Sequence, residues 1–112
     1  MNDLKEELRQ FVSERDWEQF HNPKNLAMAL AIEAAELMEP FQWLTPEQAC
    51  ELSPKARAAV EDELADVFIY LVRLSDVLGV DLMTVARRKL ERNRAKYPAE
   101  QVRGRAVKYT DL

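Results

Sequence analysis

The sequence predicts an all-α protein, a bundle of four main helices with short connections. Apolar residues recur at the three- and four-residue spacing of helices, and no stretch alternates apolar and polar residues over the length of a strand. Only two glycines interrupt the 112 residues. This length indicates one domain, residues 1–112, and an apolar content of 47% is sufficient for a core.

The first two main helices are predicted from apolar spacing and from their boundary residues. Asn22 is placed to cap the second helix with Pro23 at its first position, and Pro40 marks its end because proline removes a backbone donor. Thr45 and Gln48 have capping-box spacing, which predicts a short helix after it. The apolar residues of the first helix, about a dozen residues long, are Leu4, Leu8, Phe11 and Val12.

The remaining boundaries follow from the same signals. Ser53 begins the longest helix, which continues to Gly79, a residue favoured just beyond a helix end. Asp81 can cap the fourth main helix, which stops before Pro98. Residues 99–112 show no clear periodicity and are expected to form a polar C-terminal tail.

Several protein classes are disfavoured by the composition. Cys50 is the only cysteine, so an intramolecular disulfide is excluded and a reducing compartment is expected. The acidic, polar N-terminus does not resemble a secretory signal. The most apolar stretch, Leu26–Met38, is too short for a bilayer and contains two glutamates. We therefore expect a cytoplasmic protein without a membrane partner.

Charge is distributed unevenly along the chain. Residues 1–66 hold fifteen acids and six bases, a balance of −9, whereas residues 67–112 hold five acids and ten bases, a balance of +5. An anionic part and a cationic part of one chain could serve a metal ion and a phosphate group respectively.

Two pairs of carboxylates lie at the edges of apolar stripes, Glu33 with Glu36 on the second helix and Glu63 with Asp66 on the longest one. The members of each pair are three residues apart and are neighbours on a helix. Packing the two helices together would bring four carboxylates close, where they would repel one another and lose hydration. A hard divalent cation removes both costs, and oxygen-only ligands suit Mg²⁺ or Mn²⁺.

Two other interpretations of these acids are available. Glutamate is a common helix former, so the pairs could simply form a solvated acidic face. A ferritin-like di-iron bundle would need Glu-x-x-His pairs. The only histidine, His21, does not follow any of these acids at that spacing, which argues against di-iron chemistry.

The fourth main helix carries much of the positive charge. Lys89 and Asn93 share a face with Lys96 or Tyr97, a stripe that could hold phosphate oxygens or could be a solvated helix surface. Nucleic-acid binding is disfavoured because the net charge is −4 and no basic patch is interleaved with several aromatic residues.

Two tryptophans, Trp17 and Trp43, lie in the segments that flank the second helix. They could cover the core or stack on a nucleotide base. His21 precedes the second helix and could make a hydrogen bond within its loop or contact a base or sugar.

The ordered motifs resemble those of a known family. The pairs E33-A-A-E36 and E63-L-A-D66, with ERDWEQFHNPKNLAMAL, FQW, ELADVFIYLV, NRAKYP and RGRAVKYTDL, are similar to all-α nucleoside triphosphate pyrophosphohydrolases of the MazG type. Within that superfamily they resemble the dCTP pyrophosphatase branch. The resemblance extends from about Leu4 to Leu112.

The resemblance implies an Mg²⁺-dependent hydrolase that cleaves the bond between the α- and β-phosphates of dCTP or a modified dCTP and so cleanses the nucleotide pool. It implies a homotetramer with sites near subunit boundaries. Glu36 or Glu63 would orient or deprotonate the attacking water. A nucleotide-binding module without turnover and a structural helical oligomer are the alternatives. The residues that match the family's metal ligands are Glu33, Glu36, Glu63 and Asp66. Those that match its substrate contacts, with His21 added, are Trp17, Trp43, Tyr70, Lys89, Asn93 and Tyr97.

Overall fold

A computed structural model describes residues 2–112, and within that range every regular element is a helix. The all-α class and the four main helices are therefore confirmed. In residues 2–112 no helix is long and apolar enough to cross a membrane. The α-helices are α1 (Asn2–Glu14), α2 (Pro23–Met38), α3 (Pro46–Ala49), α4 (Pro54–Val77), α5 (Leu82–Lys96) and α6 (Ala99–Val102), and the 3₁₀-helices cover Glu18–Phe20 and Tyr109–Asp111.

Side-chain caps form at the helix starts predicted from the sequence. The Asn22 side chain accepts a hydrogen bond from the Asn25 backbone N–H at 2.9 Å, with Pro23 at the first helical position. Thr45 and Gln48 form the reciprocal capping box at 3.2 and 3.0 Å. Each cap satisfies a backbone donor that a helix start leaves free. The side chains of Ser53 and Asp81 cap α4 and α5 in the same way.

The first compact unit ends at Gly79, whose φ of 67° is a conformation that glycine adopts without steric cost. Its main packing is α2 against α4, with α1 also resting on α4. All three long helices contribute to the apolar core. The buried apolar side chains are Val12, Leu26, Val60 and Val72.

The second compact unit comprises Val80–Leu112 and contains α5 and the C-terminal tail. The tail has more regular structure than the sequence predicted, since α6 and the last 3₁₀-helix both lie in it. An aromatic contact accounts for part of this order. Tyr109 packs edge-on against Tyr97 with ring centroids 6.1 Å apart, and Lys96 Nζ lies 4.7 Å from the Tyr109 ring centroid.

One apolar stripe of α4 is less buried than its periodicity suggests. Leu64 and Phe68 continue the stripe that includes Val60, yet they are 52% and 40% exposed in the single chain. Phe11, Ile32 and several other large apolar side chains are exposed as well. Large apolar side chains that a single chain leaves exposed can be covered by an interface with another protein.

Replacement of Leu26 by alanine should destabilise the first unit by about 2–5 kcal/mol, because the side chain is 1% exposed and its removal leaves a cavity. Denaturant unfolding at a fixed protein concentration measures the change. Leu44→Ala is the matched control, since Leu44 is 37% exposed and should lose much less. Equal losses in the two variants would contradict the placement of the core.

Candidate metal and nucleotide site

Three glutamates meet where α2 packs against α4. Glu33 and Glu36 come from α2 and Glu63 comes from α4, and one carboxylate oxygen from each lies within 4.8 Å of the others. All three side chains are half-buried. The sequence predicted that four carboxylates would come close, and the structure groups three of them.

The cluster is electrostatically unfavourable without a cation. One carboxylate oxygen of Glu33 and one of Glu63 are buried and have no hydrogen-bond partner in residues 2–112. Burial raises the pKa of Glu33 to about 7, with further contributions from the neighbouring carboxyls of Glu36, Glu63 and Asp66. The pKa of Glu63 is also raised, chiefly by burial.

The donor set fits a hard divalent cation. A buried oxygen that lacks a partner is costly, and a metal ion would supply the missing partner to both Glu33 and Glu63. The ligands are carboxylate oxygens without sulfur or imidazole, the set that Mg²⁺ prefers. Asp66 is half-buried and near enough to raise the pKa of Glu33 and Glu63, but it lies outside the three-glutamate group. Its role as a ligand stays a prediction.

An open cleft of about 470 Å³ adjoins the cluster, with Glu36 and Glu63 in its wall. Lys55 and Ser53 line the same cleft from the start of α4, and Glu39 lines it from the end of α2. Lys55 was not predicted from the sequence. Its spacing of eight residues before Glu63 places both on one helical face and could have indicated this position.

The predicted aromatic contacts differ in their surroundings. Trp17 packs edge-on against Phe11 at a centroid distance of 5.8 Å and stays 43% exposed, so part of its ring faces solvent. Trp43 follows α2 and is 86% exposed, which leaves its ring free to stack on a planar group. Tyr70 is half-buried on α4.

His21 makes a contact that the sequence did not predict. Its Nδ1 accepts a hydrogen bond at 3.3 Å from Nε of Arg73, a buried residue of α4. Burial and the charge of Arg73 lower the pKa of His21 below its ordinary value. Arg73 and His21 are 52 residues apart, and Arg9 and Asp76 are 67 residues apart, so helical spacing could not indicate these two contacts.

Three further predicted substrate contacts belong to the second unit. Lys89 is exposed on α5, Asn93 is half-buried on the same helix, and Tyr97 follows it. Their predicted contact with phosphates stays a prediction.

The fold and the cluster define an all-α protein with three clustered glutamates that could hold a metal ion. A sequence model described as the MazG-like family matches residues 28–112. "dCTP pyrophosphatase 1" from Bos taurus is 46% identical over the whole chain and 68% of its own length, and the Homo sapiens protein of that name is 45% identical over 67% of its length. The crystal structure of a pyrophosphatase from Archaeoglobus fulgidus matches with a TM-score of 0.83 and 42% identity, covering 88% of this chain and 92% of that one.

The chain belongs to the MazG-like family. The family resemblance drawn from the ordered motifs of the sequence is therefore confirmed.

The pKa of Glu33 leads to a test of the cluster in metal-free protein. The carboxyl titrates near 4.5 in the unfolded chain and near 7 in the fold, so it destabilises the fold increasingly as the pH rises from 4.5 to 7. Glu33→Gln removes this penalty. The stability of the variant relative to the wild type should therefore increase as the pH rises from 5 to 8.

Urea unfolding in the presence of a chelator, repeated across that pH range, measures the difference. Glu51→Gln is the control, because Glu51 is exposed and is not one of the three clustered glutamates. A stability difference between Glu33→Gln and wild type that stays constant from pH 5 to pH 8 would contradict the raised pKa.

Proposed function

We propose that this protein is a nucleoside triphosphate pyrophosphohydrolase that converts dCTP, or a modified dCTP, to dCMP and pyrophosphate. The observation that carries the proposal is the cluster of three glutamates with two unpartnered buried oxygens, in a chain 46% identical to dCTP pyrophosphatase 1. The activity removes nucleotides from the cytoplasmic pool.

Glu33, Glu36 and Glu63 would hold the divalent cation, with Asp66 as a fourth ligand. When bound, Mg²⁺ or Mn²⁺ would neutralise charge on the phosphate oxygens and lower the pKa of a bound water. Support for Mg²⁺ comes from the oxygen-only donor set and from two carboxyl oxygens that need a partner. The raised pKa of Glu33 means that protons compete with the cation below about pH 7.

The reaction needs no covalent nucleophile. Glu36 or Glu63 orients or deprotonates a water molecule, whose oxygen attacks the α-phosphorus. The bond from that phosphorus to the bridging oxygen breaks as the new bond forms, and pyrophosphate leaves with the bridging oxygen. Both glutamates line the open cleft, so a water and a phosphate can reach them. Lys55 lines the same cleft and offers a positive charge for the phosphate oxygens.

The nucleoside is held by aromatic and polar side chains. Trp17 and Trp43 offer exposed rings for stacking on the base, His21 contacts the base or sugar, and Tyr70 lies near the sugar. A phosphate contact for Lys89, Asn93 and Tyr97 of the second unit is proposed from their match to the family pattern.

The products of dCTP hydrolysis test the reaction. Purified protein with dCTP and Mg²⁺ should release dCMP and pyrophosphate, and Glu63→Gln should lower kcat by at least about a hundredfold because a metal ligand or base is lost. Ion-exchange chromatography of the nucleotides and a pyrophosphate assay give both quantities.

Asp62→Asn is the matched control, since Asp62 adjoins Glu63 in sequence but is exposed, and its activity should match that of the wild type. Release of dCDP and orthophosphate would contradict the position of the cleaved bond. Unchanged turnover by Glu63→Gln would contradict the metal and catalytic roles of Glu63. Binding of Mg²⁺ and dCTP without any product would favour a nucleotide-binding module.

We further propose that the chain assembles as a homotetramer. The support is the apolar surface that the single chain leaves open, including Leu64, Phe68 and Ile32. Light scattering should therefore give four times the chain mass of 13.0 kDa, and Phe68→Glu should reduce that mass. A monomer at micromolar concentration would contradict the assembly.

A further inference from the structure

A network of four side chains joins α1, α4 and the segment before α2. Arg73 is 6% exposed and is the one buried charged residue in the part of the chain that the structure describes. Its Nε donates to His21 Nδ1 at 3.3 Å, and its terminal nitrogen donates to Asp76 Oδ2 at 3.4 Å. Arg9 donates to both oxygens of Asp76, at 2.6 and 2.7 Å.

Burial and the neighbouring Arg73 guanidinium lower the pKa of His21, which keeps the imidazole neutral. Arg9 pairs with both Asp76 and Glu6, so its charge is balanced by carboxylates and not by the imidazole. The hydrogen bonds from Arg9 also hold the pKa of Asp76 below its ordinary value, so the carboxylate remains ionised. A buried guanidinium needs well-placed partners. His21 can be such a partner only when Nδ1 carries no proton, which places the single ring proton on Nε2.

The segment that carries His21 is fixed at several other points. This segment comprises residues 16–22 and contains both Trp17 and His21. It begins at Asp16, whose backbone has a φ of 52°, and the His21 backbone N–H donates to the Glu18 carbonyl at 3.1 Å. The Asn25 side chain donates to the Phe20 carbonyl at 3.2 Å. The hydrogen bond from Arg73 fixes the orientation of the His21 ring, in a segment whose backbone is already held by the hydrogen bonds just described.

We propose that Arg73 is a positioning residue that holds His21 as the neutral Nε2–H tautomer, so that the imidazole presents one donor to a carbonyl or hydroxyl oxygen of the nucleoside. Arg73 itself does not contact the substrate. The contact with the nucleoside rests on the proposed function, whereas the tautomer does not. The role differs from that of the carboxylate cluster, because it bears on the recognition of the nucleoside and not on the chemical step.

The tautomer can be measured directly because the chain has one histidine. Long-range ¹H–¹⁵N correlation spectra of labelled protein, free of nucleotide, should show a protonated Nε2 and an unprotonated Nδ1 at neutral pH. Arg73→Met should give a mixture of tautomers and a His21 pKa closer to its ordinary value, because the donor and the positive charge are both removed. Arg73→Lys is the second variant, which keeps the charge but lacks the Nε donor.

Arg9→Met separates positioning from stability. It removes an ion pair with Asp76 but spares the bond between Arg73 and His21. It should lower the melting temperature as the Arg73 variants do, yet leave the His21 spectrum and the KM for dCTP unchanged. Arg73→Met should raise KM by roughly three- to tenfold, the usual effect of one hydrogen bond, with kcat within about twofold.

A thermodynamic cycle with His21→Gln completes the test. If Arg73 acts through His21, Arg73→Met should add little to the KM of His21→Gln. Addition of the α,β-imido analogue of dCTP with Mg²⁺ should also shift the Nε2 resonance of the wild type. A wild-type Nδ1–H tautomer, a spectrum unchanged in both Arg73 variants, or additive effects on KM would overturn the positioning role.

The two proposals can fail separately. Failure of the wild-type protein to turn over dCTP would contradict the proposed function, while the spectra without nucleotide still decide whether Arg73 sets the tautomer. A saturating analogue that leaves the Nε2 resonance unmoved would overturn the nucleoside contact.

Discussion

The repulsion among carboxylates at the contact of α2 and α4 is the constraint on which the rest of the structure depends. These two helices form the main packing of the first unit, and an apolar contact would be the stable choice for that position. Instead the contact includes three glutamates with two buried oxygens that lack partners in the described chain. The fold therefore gives up stability at the position where it can gain affinity for a cation, as expected of a functional site.

The remainder of the first unit supplies what this contact requires. Buried apolar side chains from α1, α2 and α4 pack the three helices together. Leu26 precedes Glu33 on α2, and Val60 and Val72 lie before and after Glu63 on α4. Side-chain caps fix the residue at which α2 and α4 begin. The starting residue in turn determines which side chains of each helix face the contact. A shift of one residue would turn a glutamate by about 100° away from the contact.

Local features of the fold were predictable because their causes are local. A cap such as Asn22 lies within three residues of the group that it satisfies, and a helical pair such as Glu33 and Glu36 lies within one turn. The meeting of Glu63 with the α2 pair needed one further assumption, that two apolar stripes pack together. The exposure of Leu64 was not predictable on that assumption, because periodicity indicates an apolar face without indicating whether its own chain or another covers it.

Contacts between residues far apart in the sequence could not be predicted from helical spacing. Arg9 and Asp76 are separated by 67 residues, and Arg73 would ordinarily be assigned to the solvent-exposed side of a helix.

The structure also distinguishes two kinds of buried charged residue that cannot be told apart from the sequence. Arg73 is buried with one hydrogen-bond partner on its own helix, Asp76, and one on the segment before α2, His21. One oxygen of Glu33 and one of Glu63 are buried without such a partner among the described residues, and a bound cation or a proton would supply it. A buried charged group with hydrogen-bond partners in the chain indicates a role in positioning other side chains, whereas one without partners indicates a bound ligand. On this criterion the Arg73 network and the glutamate cluster have different roles.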